Sequence, residues 1–358
     1  MVAAKLHHIG HFLHKRLSER PNKTPWRILI NPWTVCVFLA LFYVGIPIWF
    51  YLCPWLRRGA VFLHFADWPF QNLSSPESYG LNNTRHFFVE TAPGVLLGVW
   101  HILPSSSQSR SSSFSEDDRP IVLYLHGSAE SRSAAYRRSM YRVLNSKPLD
   151  AHVITFDYRG FGDSSYTSPT VRSLEEDAVS IYKWLNRQVP ASRIILWGHS
   201  LGSGVAVRLA ASLASSNESN PFAVVLEAPF TSIAEATRTF PLSFFHRRLP
   251  LFKNFCSDRT RHPDTHFDSE SLIGSVTAPL LVLHAADDSM VWSEQGKRLW
   301  KRALQSRHPY LHEPRFVELS SNYGCGHRNI HKAPNLPEKV DSFLQSISAH
   351  SENQRNSN

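Results

Sequence analysis

The sequence predicts an α/β protein: a mostly parallel sheet with helices on both faces, preceded by one membrane-spanning helix. Three observations predict it. Short apolar runs bounded by turn residues alternate with segments of helical periodicity from Leu96 to Ile347. A Gly-x-Ser-x-Gly pentapeptide stands where one such run gives way to a helical segment. A charge-free apolar stretch, Thr34 to Leu56, precedes all of this.

The chain has 358 residues, 42% apolar and 19% charged, with a formal net charge of +9. That length accommodates one large α/β domain plus an appendage, and the balance excludes disorder as the state of the whole chain. A basic excess points to nucleic acid or to an anionic membrane surface. No nucleic-acid motif is found in the sequence, so a membrane is the expected partner and nucleic acid is not. Cys36, Cys53, Cys256 and Cys325 follow no metal spacing, and neither a metal nor a cofactor is expected. Cys256 and Cys325 could pair in an oxidising compartment.

At about 1.5 Å per residue, Thr34 to Leu56 is long enough to cross a hydrocarbon core of about 30 Å. Pro47 would kink such a helix, which membrane spans tolerate. The stretch is long for a signal peptide, and no small-x-small cleavage site follows it. An uncleaved signal anchor over 34–56 is therefore expected. Lys5, Lys15, Arg16, Arg20, Lys23 and Arg27 lie ahead of it against one acid, Glu19. The positive-inside rule then places residues 1–33 in the cytosol and the rest in a lumen or outside the cell. Sequons at Asn72, Asn82 and Asn217 fall on that far side as candidate glycosylation sites. Leu6, Ile9, Leu13 and Leu17 have near-helical spacing, so Lys5 to Leu17 reads as a basic interfacial helix, with His7, His8, His11 and His14 on its polar face rather than around a metal.

Residues 57–84 are expected to form a membrane-proximal segment, 85–347 the α/β domain, and 348–358 a disordered tail. The strands expected in that domain are Leu96–Ile102, Ile121–Leu125, His152–Phe156, Ile194–Trp197, Ala223–Leu226, Leu280–Leu283 and Arg315–Leu319. The helices are Leu174–Gln188, Leu201–Ser215, Ser293–Gln305 and Leu336–Ile347. A Ser-rich low-complexity loop, Pro104 to Arg119, follows the first strand. About residues 230–278 no strand is evident, which is where a lid would be inserted.

Gly198-His-Ser-Leu-Gly202 joins a buried strand to a helix start. Glycines at both ends allow a turn sharp enough to hold Ser200 strained and exposed, the nucleophile elbow of an α/β-hydrolase fold. That fold places an acid and then a histidine later in the chain. Asp288, three residues before Val291 on the loop after the strand Leu280–Leu283, is the favoured acid; Asp287 and Glu227 are the alternatives. His327, on the glycine-containing loop after the last strand, is the favoured base, with His331 the runner-up; His308 and His312 precede that strand. The oxyanion hole needs two backbone N–H donors, for which Leu201 and Ser128 are the candidates. His126 reads as a brace for the loop carrying Ser128, and Asp157 and Arg159 read as structural. Phe240 to Lys253 mixes aromatics with cations, either a membrane-facing lid or a packed cap with a basic edge.

With those residues in view the chain resembles the abhydrolase domain-containing protein 12 family nearly end to end. The likeness runs through Leu52-Cys-Pro54, Gly80-Leu-Asn-Asn-Thr84, Gly98-Val-Trp-His101, Thr155-Phe-Asp-Tyr-Arg-Gly160, Trp197-Gly-His-Ser-Leu-Gly202, Leu283-His-Ala-Ala-Asp-Asp288, Gly326-His-Arg328 and Pro334-Asn-Leu-Pro337. The resemblance implies hydrolysis of lysophosphatidylserine and monoacylglycerols by a domain facing the lumen of the endoplasmic reticulum or the cell exterior, with Ser200, Asp288 and His327 as its catalytic residues. The sequence departs from the family in the Ser-rich insert Ser105–Ser115 and in the loop His126-Gly-Ser-Ala-Glu-Ser131. A thioesterase, depalmitoylase or peptidase on the same scaffold is the alternative; lumenal topology opposes depalmitoylation.

Overall fold

A computed structural model describes residues 31–66, 71–107, 114, 117–216, 218–244, 247–248, 253 and 257–357. The basic N-terminal segment, Asn217 and Cys256 therefore lie outside the described residues. The chain divides into two compact units, residues 1–52 and 53–358.

In the first unit, an apolar helical run spans Pro32–Leu52 (α1), with a mean hydropathy of 2.2 over its most apolar window and none of that window buried. Asn31 caps it, its side chain accepting from the Trp33 N–H at 3.0 Å. A core helix would bury this surface; here Trp33, Phe38 and Leu41 are exposed. One N-terminal helix is thus a candidate membrane span. It ends at Leu52 rather than Leu56 because Cys53 turns extended and Pro54 starts a new helix at its first position.

That new helix, α2 (Pro54–Phe62), belongs to the second unit and buries Arg57, Val61 and Phe62. With Leu73 and Leu81 also buried, the compact domain begins at Cys53 and not near Arg85. Its centre is an eight-stranded sheet of order β1-β2-β4-β3-β5-β6-β7-β8. The strands are β1 (Thr84–Ala92), β2 (Val95–Ile102), β3 (Ile121–Leu125), β4 (His152–Phe156), β5 (Ile194–His199), β6 (Ala223–Glu227), β7 (Leu280–Ala285) and β8 (Arg315–Leu319). β1 pairs antiparallel with β2, and β2 with β4; all other pairs are parallel. Seven of these were expected; β1 was not.

The strands β3 to β7 are buried on both faces, so they are largely apolar rather than alternating with polar residues, whereas β8, at the sheet edge, keeps Arg315 and Glu318. Ile121, Leu123 and Leu125 face one core, Val122 and Tyr124 the other. Helices α4 (Val171–Asn186), α5 (Leu201–Ser215) and α7 (Ser293–Ser306) cover the first face; α3 (Ala135–Leu144) and α8 (Leu336–Ser357) cover the second. α4 starts at Val171 rather than Leu174 because Thr170 and Ser173 form a reciprocal capping box. α8 runs to Ser357, through residues expected to form a disordered tail. Between β6 and β7, α6 (Ile233–Thr239) and a one-turn helix at Ser269–Leu272 occupy the region expected to hold a lid.

Register positions the chemistry. Leu125 pairs with Gly198, His199 with Glu227, Leu226 with Val282 and Ala285 with Leu319. The loops after β3, β5, β7 and β8 therefore leave the sheet along one edge, the carboxyl edge of the parallel strands.

Candidate active site

Ser200 links β5 to α5 with φ 52° and ψ −117°. A non-glycine residue at such an angle is strained and survives only where its surroundings fix it. The flanking glycines show what fixes it. A Cβ at Gly198 would lie 2.4 Å from the Gly202 carbonyl oxygen, and one at Gly202 would lie 2.0 Å from the Leu125 carbonyl oxygen. The Ser200 N–H donates to the Glu227 carbonyl at 2.9 Å, and its carbonyl accepts from the Ser203 N–H and hydroxyl. The hydroxyl makes no capping hydrogen bond to the helix it precedes.

His327 Nε2 lies 2.8 Å from Ser200 Oγ, and His327 Nδ1 lies 2.7 Å from Asp288 Oδ2. The other carboxylate oxygen, Oδ1, accepts from the Met290 and Val291 N–H groups, both at 2.9 Å. Burial opposes ionisation of Asp288, but hydrogen bonds from His284 and His327, and the charge those rings can carry, outweigh it. The carboxyl is held well below the usual carboxylate range. A buried carboxylate on Nδ1 leaves Nε2 free to take the Ser200 proton.

The alternatives separate cleanly. Asp287 is the half-buried neighbour, its Oδ1 without a partner among the described residues. The Glu227 carboxyl accepts from Trp197 Nε1 at 2.7 Å, and burial pushes it up to about 7. His331 sits on the one-turn helix Ile330–Lys332, and among the described residues it bonds to neither Ser200 nor Asp288. His312 meets Ser346 instead, and His308 packs on Tyr310.

The loop after β3 lies against the nucleophile. A Cβ at Gly127 would be 3.2 Å from both Ser200 Cβ and the His199 carbonyl oxygen. Ala129 N–H donates to Phe62 O and Glu130 N–H to Ala66 O. The Ser128 and Leu201 N–H groups have no acceptor among the described residues, and both stand at this end of the sheet. His126 is fully buried with Nδ1 2.8 Å from the Gly127 oxygen, its ring packed on Tyr158 and Phe161. Arg132 ties the same loop to Asp157 and Asp163, while Arg159 pairs with Asp177.

Two histidines that the sequence reading passed over support this geometry. His199 Nε2 donates to the His327 carbonyl at 2.9 Å. Burial and then the neighbouring His327 lower its pKa to about 3, so its ring stays neutral. His284 Nε2 lies 2.9 Å from the Val291 carbonyl and 3.3 Å from Asp288 Oδ2. A histidine inside an otherwise apolar strand is the signal that could have found His284. For His199 the signal is its place beside the nucleophile. Asn72 and Asn82 are exposed, as acceptors of a glycan must be. Cys325 is a buried free thiol.

Residues 122–336, more than half of the chain, match the family model for the alpha/beta hydrolase family. The lysophosphatidylserine lipase ABHD12 of Danio rerio is 36% identical over 325 residues, covering 88% of this chain and 84% of that protein. The lysophosphatidylserine lipase ABHD12 of Rattus norvegicus is 36% identical over 312 residues, covering 85% and 77%. Protein ABHD12B of Homo sapiens is 35% identical over 293 residues, covering 79% of each. Among solved structures, an alpha-beta hydrolase from Vibrio vulnificus aligns with a TM-score of 0.59 at 17% identity, over 84% of this chain and 94% of that one. An esterase of Pyrococcus furiosus aligns with a TM-score of 0.56 at 21% identity, over 76% and 93%. These two likenesses are of fold.

Proposed function

The chain belongs to the alpha/beta hydrolase family and, within it, to the family of the lysophosphatidylserine lipase ABHD12, and from that premise we propose how this serine ester hydrolase works and on what. Its substrates are lysophospholipids, lysophosphatidylserine first, and monoacylglycerols. Ser200 Oγ attacks the acyl carbonyl carbon as His327 Nε2 takes its proton, and the Leu201 and Ser128 N–H groups stabilise the oxyanion. His327 then gives that proton to the departing glycerol oxygen, which leaves an acyl ester on Ser200. Water, deprotonated by His327 in turn, attacks that ester and releases the fatty acid. Asp288 fixes the ring of His327 and stabilises its charged form without taking the proton.

The observation that carries this reading is the hydrogen-bonded line Ser200–His327–Asp288, closed at 2.8 and 2.7 Å. The test compares wild type with Ser200→Ala in membrane fractions for fluorophosphonate labelling and for fatty acid release from lysophosphatidylserine and from monoacylglycerol. Labelling and release should vanish in the variant; turnover that persists refutes the mechanism, and release from monoacylglycerol alone refutes the substrate class.

α1 anchors the enzyme as a single-pass protein with its N-terminus in the cytosol and its hydrolase domain in the endoplasmic reticulum lumen or outside the cell. The charge asymmetry about the apolar run supports this orientation. In sealed microsomes, added protease should spare the C-terminal domain, and glycosidase should shift its mobility through Asn72, Asn82 or Asn217. A domain digested from the cytosolic side would overturn the topology.

A further inference from the structure

Arg137 is fully buried on α3, and its two terminal guanidinium nitrogens donate to five main-chain carbonyls of one loop. Nη1 donates to Glu130 O at 2.9 Å and Ser131 O at 2.6 Å. Nη2 donates to Ala129 O at 2.8 Å, Gly127 O at 3.0 Å and Ser128 O at 3.2 Å. Five successive carbonyls thus converge on one cation. Ala129 and Glu130 adopt φ of 59° and 53°, angles that non-glycine residues take only under constraint.

A trans peptide points its carbonyl and the following N–H in opposite directions. Drawing the Gly127 carbonyl toward Arg137 therefore turns the Ser128 N–H away from Arg137. A Cβ at Gly127 would lie 3.2 Å from Ser200 Cβ and from the His199 carbonyl oxygen, so the nucleophile lies close to this same stretch of loop. The next two N–H groups, of Ala129 and Glu130, are taken by Phe62 and Ala66, and that of Ser128 is left for a ligand. Lysine could not replace this arrangement. Its ammonium is a point charge with three donors, whereas the guanidinium spreads its donors across a planar fork.

We infer that Arg137 is the positioning residue of the oxyanion hole, organising the loop Gly127–Ser131 so that the Ser128 N–H faces the developing charge above Ser200. The inference rests on the proposed role of Ser128 as oxyanion donor. It assigns no contact between Arg137 and substrate.

The test uses the full-length membrane protein with p-nitrophenyl butyrate as substrate, so that lipid preference does not enter. Active sites are counted by fluorophosphonate stoichiometry, and kcat and KM are taken per counted site for wild type, Arg137→Met, Arg137→Lys and Arg137→Ala. The Ki of an alkyl trifluoromethyl ketone, which forms a reversible oxyanion adduct on serine, is measured alongside. Loss of one oxyanion donor costs about 10²-fold or more in kcat. Arg137→Met should lower kcat by about that factor with KM nearly unchanged, and raise the ketone Ki in proportion. Arg137→Lys should fall between, added guanidinium should partly restore Arg137→Ala, and the acid limb of the pH profile should not move. Arg137 as a merely structural residue would reduce the number of active sites or the Tm and leave kcat per site and the ketone Ki at wild-type values; that result overturns the inference. If Arg137→Met does not fold, Arg137→Lys is judged by the same criterion. Ser200→Ala separates the two readings: turnover surviving there refutes the serine mechanism, whereas its loss beside unchanged Arg137 variants refutes only the role of Arg137.

Discussion

Asp288 accepts from two main-chain N–H groups and from His327, with His284 beside it, and these partners define how the site responds to change. Asp288→Asn keeps the volume but reverses the polarity at His327 Nδ1, selecting the wrong ring tautomer. We expect kcat to fall by roughly 10³–10⁴ with KM little altered, measured on lysophosphatidylserine. Because its carboxyl titrates below the unfolded value of about 3.9, Asp288 contributes stability that is fully present above that pH and is lost as pH falls through the depressed value. Glu227 has the opposite sign. Its folded pKa of about 7 lies above the unfolded value, so stability falls as pH rises from about 4.3 to about 7 and is level beyond. Glu227→Gln should flatten that slope and stabilise the protein above pH 7 by up to roughly 3 kcal/mol in denaturant titrations. Ser200, Asp288 and His327 were legible in the sequence because each follows a buried strand in the order the fold demands. Arg137, His199 and His284 were not, since they act through main-chain carbonyls or a neighbouring side chain, and such contacts leave no spacing rule.

The turn between β5 and α5 illustrates how tightly an element can be specified. A methyl group at Gly202 would meet the backbone of β3, which cannot retreat without parting from β4 and β5. Gly202→Ala should therefore cost at least about 3 kcal/mol in unfolding free energy and abolish fluorophosphonate labelling in the fraction that folds. The strands β3 to β7 were readable because burial on both faces makes them nearly continuous apolar runs. β1 was not: it is an edge strand, and Arg85, Phe88 and Glu90 keep it half-exposed without a clean alternation. α3 was missed for a reason that carries information. Arg137, Met140, Tyr141 and Leu144 recur at helical spacing on its buried face, and the arginine hides the stripe. The start of α2 was misread because Pro54 falls within an uncharged run whose hydropathy does not register the break.

For the molecule as a whole, the domain needs more of the chain than its shared family core. Residues 122–336 match the family model, yet β1, β2 and α2 all lie before them, and α2 lends the Val61 and Phe62 carbonyls to Ser128 Oγ and Ala129 N–H. A chain beginning at Cys53 should fold and hydrolyse p-nitrophenyl butyrate with kcat within about threefold of full length. One beginning at Gln71 should lose at least about tenfold, because the loop after β3, proposed to hold the oxyanion, forfeits its bonds to Val61, Phe62 and Ala66. The ends of the Ser-rich insert tell a different story. Ser106 and Arg119 both bind Asp150, next to the start of β4, and Ser105 N–H reaches the Asn145 carbonyl. These anchors lie at the amino edge of the parallel strands, the edge opposite Ser200. An epitope spliced in place of residues 108–113, with Phe114 kept in the core, should leave kcat on p-nitrophenyl butyrate at the wild-type value.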